Sequence, residues 1–96
     1  MTIYWTERAR SDLRAIYEYI ARDSRLYARR MVSRIKKAVQ RLRRFPESGS
    51  YVPEWARQDV KEIYVGDYRI IYRLRTDGVE ILTAFHGARR LPGNVD

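Results

Sequence analysis

The chain has 96 residues, no cysteine, one histidine and a formal net charge of +8, with a pI of about 10.2. That length supports one modest core, so residues 1–96 are expected to form a single domain. The lack of cysteine excludes a disulfide framework and thiolate catalysis, a lone histidine excludes a His-rich metal site, and the positive balance favours polyanionic partners.

The N-terminus, MTIYWTERAR, carries charge where a signal peptide needs a long apolar run, and no apolar stretch approaches the roughly 18 residues of a membrane span. A cytoplasmic protein without membrane contact is expected. Thr2 to Trp5 reads as a short strand. Thr6 is a good N-cap, and Ala9, Leu13, Ile16, Tyr17 and Ile20 repeat with helical spacing, which predicts a first helix to about Arg22. Ser24 caps a second helix whose apolar stripe is Ala28, Met31, Val32, Ile35, Val39 and Leu42, and Pro46 with Gly49 marks the loop after it. From Arg25 to Arg44 there is no acid, and Arg29, Arg30, Arg34, Lys36, Lys37, Arg41 and Arg44 cover much of the remaining surface. Two readings of that run stand side by side: a solvated helix back, or a surface that meets the substrate through residues such as Lys37 and Arg41. FPESGSYVPEWARQD is the one long irregular stretch, and long loops on compact scaffolds often carry function.

From Val60 to Leu91 the pattern is that of a meander. Gly66-Asp67 and Asp77-Gly78 suit two-residue hairpin loops. Pairing Val65 with Tyr68 sets Tyr64 opposite Arg69, and pairing Thr76 with Val79 sets Arg69 opposite His86. Tyr64, Arg69 and His86 then form one row, joined on their face by Glu62, Arg73 and Arg75. Ile63, Val65, Tyr68, Ile70, Tyr72, Leu74, Val79, Ile81 and Phe85 point the other way and pack. The fold class is α+β: an N-terminal strand and a two-helix hairpin packed on an antiparallel three- to four-stranded sheet, with the second sheet face open.

Arg69 beside His86 suggests chemistry on that open face. A guanidinium binds a phosphate bidentately and imidazole exchanges protons near neutrality, which is what cutting RNA requires, with Glu54 or Glu62 as the base. Tyr64 and Arg73 on the same face, and Arg89 and Arg90 beyond the last strand, are candidate substrate contacts. The plainer readings are that His86 is a hydrogen-bonded rim residue, that Arg69 pairs structurally with Glu62, and that Arg75 opposite Glu80 is a cross-strand ion pair.

Four segments, IYWTERARSDLRAIYEYIARDS, RLRRFPESGSYVPE, GDYRIIYRL and VEILTAFHGARRL, resemble in this order the RelE/ParE superfamily of toxins from bacterial type II toxin–antitoxin systems. The resemblance implies a toxin neutralised by a cognate antitoxin, often acidic; the +8 charge, the open sheet face and the short edge strands lead us to expect that an acidic, disordered segment of that antitoxin wraps the domain. The resemblance also implies one of two targets. RelE-like and YoeB-like members cut messenger RNA on the ribosome without a metal, so no cofactor is expected; ParE-like members poison DNA gyrase. By likeness to the first kind, Glu54 in Val-Pro-Glu is the general base, Arg69 in Tyr-Arg-Ile-Ile-Tyr holds the scissile phosphate and His86 in Phe-His-Gly is the general acid. Two departures separate this chain from that pattern. Glu62 and Tyr64 stand where RelE relies on lysines, and the Gly-Ala-Arg-Arg-Leu-Pro tail after His86 is also followed in many ParE-like toxins. Ribosome-dependent mRNA cleavage is the leading expectation, with gyrase inhibition as the alternative and a degenerate antitoxin-binding module as the third.

Overall fold

A computed structural model describes residues 1–88. The chain runs β1 (Thr2–Trp5), α1 (Glu7–Ala21), α2 (Arg25–Arg41), β2 (Ser50–Tyr51), β3 (Val60–Val65), β4 (Tyr68–Leu74) and β5 (Gly78–His86). Both helix starts are set by side-chain caps: the Thr6 hydroxyl accepts from the Ala9 N–H and the Ser24 hydroxyl from the Tyr27 N–H, at 3.0 and 3.1 Å. Among the described residues no helix is long and apolar enough to cross a membrane.

The sheet has five strands in the order β1-β5-β4-β3-β2. β1 joins β5 in parallel, and the rest is an antiparallel meander. The fifth strand, β2, is a two-residue segment inside the stretch expected to be irregular, and it pairs with Lys61 and Glu62. The helices cover one face. Ala9, Ile16, Ile35, Val39 and Leu42 from the helical layer meet Val65, Tyr68, Ile70, Tyr72, Val79, Ile81 and Ala84 from the strands. Tyr72 is fully buried there, yet its hydroxyl is satisfied, donating to the Pro46 carbonyl at 2.8 Å and accepting from the Gly49 N–H at 3.0 Å. It thereby fastens the loop after α2 to the core.

The second face is not open. Val60, Ile71, Leu82 and Phe85 form a smaller apolar cluster with Val52 and Trp55, which the segment after β2 lays across the strands. Apolar side chains on both faces of β4 and β5 require cover on both sides, and the irregular stretch supplies the second layer.

Register explains a further correction. The first turn is as expected, with Val65 opposite Tyr68 and Tyr64 opposite Arg69; Gly66 alone has φ of +57°, the form in which glycine fills the first central position. The second turn centres on Thr76-Asp77: the Arg75 N–H donates to the Gly78 carbonyl at 2.8 Å, and Leu74 faces Val79. Gly78 lies inside β5 because the Thr2 carbonyl of parallel β1 occupies the space a Cβ would need. This shift moves each partner by two residues and preserves the faces. Glu80 therefore pairs with Arg73 at 2.9 Å, while Arg75 reaches Asp77 at 3.8 Å and lies over the Tyr4 ring.

A bulge then changes the faces. Tyr72 faces Ile81 but Ile71 faces Thr83, leaving Leu82 as the extra residue. Beyond it, Ala84, Phe85 and His86 are turned over relative to the expected pattern. Arg69 faces Phe85, and His86 faces Tyr68.

Candidate functional site

Arg69 lies on the sheet face turned away from the helices, framed by the rings of Tyr64 and Phe85 at 5.9 and 5.6 Å. It is 5 % exposed, and neighbouring Glu62 is 6 % exposed. The guanidinium donates to the Glu62 carboxylate through Nε at 2.7 Å and through a second, very short contact from its terminal nitrogen. Its two terminal nitrogens also donate to both oxygens of Glu54 at 2.9 and 3.1 Å. Four of the five guanidinium N–H groups are thus engaged by carboxylates.

The electrostatics follow from that count. One cation between two carboxylates gives a cluster of net charge −1. Arg69 is held above the ordinary guanidinium value, first by the hydrogen bonds to Glu54. Glu54 is held below the ordinary carboxylate value, chiefly by the same bonds. This weakens Glu54 as a base, because a useful general base titrates near the working pH. Glu54 is also the accessible member of the cluster, with 44 % of its side chain exposed, whereas Arg69 sits beneath it.

The structure therefore brings Glu54, Glu62, Tyr64 and Arg69 together and leaves His86 out. His86 is exposed on the helix side, its ring edge-on to Tyr68 with centroids 5.5 Å apart. Its Nδ1 accepts from the Ala88 N–H at 3.1 Å. With Asp12, Ile16, Tyr19 and Tyr68 it lines a cleft of about 620 Å³ between α1 and the ends of β4 and β5. Arg73 is paired with Glu80 at the other end of the strands. Lys37 and Arg41 are exposed on α2, away from the cluster. Arg89 and Arg90 lie outside the described residues. Among the described residues no group of three or more His, Cys, Asp or Glu is placed to hold a metal ion.

One residue that sets this arrangement had a visible signal. Asp12 stands on the inward stripe of α1, between Ala9 and Ile16, where an apolar residue belongs. Its carboxylate accepts from the Thr83 hydroxyl at 2.5 Å and from the Ala84 N–H at 3.1 Å, and the Thr6 hydroxyl donates to the Leu82 carbonyl at 3.1 Å. These contacts satisfy the strand edge where β1 stops and the bulge begins. Two adjacent apolar residues, Ile81 and Leu82, are the other mark of the bulge.

A family model described as the ParE toxin of the parDE type II toxin–antitoxin system matches residues 3–91. The chain is 38% identical over 87 residues to Toxin RelE2 of Caulobacter vibrioides, an alignment covering 91% of this chain and 96% of the relative. It is also 38% identical over 92 residues to Putative toxin Y4kP of Sinorhizobium fredii, covering 94% and 92%. Among solved structures, a chain of the chromosomal ParDE system from P. aeruginosa superposes with a TM-score of 0.74 at 24% identity, covering 90% of this chain and 95% of that one. A mutant of E. coli toxin RelE in the free state gives 0.63 at 16% identity, covering 90% and 82%. Both share the fold described above.

Proposed function

Because the chain belongs to the ParE toxin family of type II toxin–antitoxin systems, we propose that it disables its target by binding it, without cutting RNA, and that the target is DNA gyrase. Membership implies a cognate antitoxin. The observation that carries the proposal is the state of Arg69: buried, with four of its five N–H groups on carboxylates, inside a cluster of net negative charge. Such a cluster repels a phosphate. In RNA cleavage the guanidinium would have to leave Glu54, and His86 would have to deliver a proton from the opposite face of the sheet. Arg69 serves instead to tie the loop bearing Glu54 and Trp55 to β3 and β4.

A second reading, ribosome-dependent mRNA cleavage, draws on the relative that bears the RelE name. In that reading Glu54 swings out on target binding and frees the guanidinium. Pulse-labelling after induced expression separates the two: DNA synthesis should stop before protein synthesis. Protein synthesis failing first, with fresh 5′ ends in messenger RNA, would support the second reading and overturn the first.

A further inference from the structure

We propose that the outward face of α2 is a docking surface for the sugar–phosphate backbone of double-stranded DNA. Arg30, Arg34, Lys37 and Arg41 recur at spacings of four, three and four, which places them in one line along the helix, opposite the buried stripe of Ala28, Ile35 and Val39. At 1.5 Å per residue the line is about 16 Å long. All four residues are exposed, and among the described residues none has a carboxylate partner.

That arrangement works against the helix itself. Like charges at these spacings repel, α2 contains no acid to offset them, and its first turn lacks the acid that α1 has in Glu7. A polyanion lying along the row removes the repulsion. α1, by contrast, interleaves its arginines with acids, and its Arg8 approaches Asp12 at 3.9 Å.

The composition of the face selects the kind of polyanion. A protein partner would need an apolar or aromatic anchor at the centre of the contact. Here the large exposed apolar residues, Leu26, Tyr27 and Phe45, flank the row at its two ends. Single-stranded nucleic acid would want aromatic rings between the cations for stacking, and the row has none. A-form RNA is recognised largely through the 2′-hydroxyls of its wide, shallow minor groove together with phosphates, and the row offers cations with no acceptor for a hydroxyl. B-form DNA presents a regular, densely charged backbone, and a helix bearing cations alone suits it. The contact would be sequence-independent, because nothing on the row reads a base edge in preference to a phosphate. The inference does not depend on which macromolecule the toxin disables.

The test is binding of the 96-residue toxin to a dye-labelled, random-sequence DNA duplex as salt is raised, comparing the wild type with the combined Arg30→Gln, Arg34→Gln, Lys37→Gln and Arg41→Gln variant. If all four cations touch phosphates, the log-log salt slope should fall by about 0.9 per cation, and the wild type's advantage should shrink about 100-fold between roughly 50 and 200 mM salt. Arg10→Gln with Arg14→Gln, exposed cations on α1, serves as the control and should leave the slope unchanged; circular dichroism verifies that each variant keeps its helices. An equal slope loss per charge in the control would mean that net charge alone acts and would overturn the proposal. So would an unchanged slope in the four-residue variant, tighter binding to single-stranded RNA of the same length, or tighter binding to a polyglutamate peptide.

Discussion

Arg69 reads in the sequence as a phosphate-binding cation, and in the structure it is buried with four of its N–H groups on carboxylates. The alternation that places it on a face with Glu62 and Tyr64 was legible, because the Gly66-Asp67 turn fixes that register. Its burial was not, since the cover comes from Val52 and Trp55 in a segment without periodicity. Removing a buried cation strands its partner, so Arg69→Ala should destabilise the fold by about 3–5 kcal/mol in urea melts, while Arg69→Met combined with Glu62→Met should recover most of that loss. A nearly neutral Arg69→Ala would show that the pair is not structural. Glu54 tests the same cluster through pH. Its depressed value means that its contribution is fully present above the ordinary value of 4.5 and is lost as pH falls below it. Glu54→Gln should cost about 1 kcal/mol at neutral pH, a small figure because the carboxylate is partly solvated, and the gap from wild type should close in acid. A gap that stays constant into acid would mean the ion pair does not contribute.

At the scale of elements, the helices and the first hairpin were readable because caps and apolar stripes are local. The last strand was not, because a bulge is decided by contacts from α1. One extra residue, Leu82, exchanges Phe85 and His86 between faces and so dissolves the expected row of Tyr64, Arg69 and His86. If Asp12 holds the bulge, Asp12→Ala should cost about 1–3 kcal/mol, since it leaves the Ala84 N–H and the Thr83 hydroxyl without an acceptor. Hydrogen exchange at Ala84 should accelerate in that variant; unchanged protection there would assign the bulge to strand pairing alone. The first turn has its own test. With φ at +57° and a Met31 methyl 3.3 Å from the space a Cβ would fill, Gly66→Ala should cost roughly 1–2 kcal/mol, and Gly66→Asn less than its size suggests. Equal melting of Gly66→Ala and wild type would contradict a left-handed requirement.

At the scale of the molecule, the described residues carry a cationic helix on one side, a cleft beside His86, and a buried ion-pair cluster that joins the far layer to the strands. The family was legible in the order of four sequence segments. The target was not, because the residues that suggest RNA cleavage also occur in a toxin where the strand register separates them. The most direct measurement adds the purified toxin to DNA gyrase with plasmid and, in parallel, to ribosomes carrying a short message. Loss of supercoiling with accumulation of cleaved plasmid is expected, equally for wild type and His86→Ala, together with an intact message. Gyrase that works normally in toxin excess, beside a message cut by the wild type but not by His86→Ala, would contradict it.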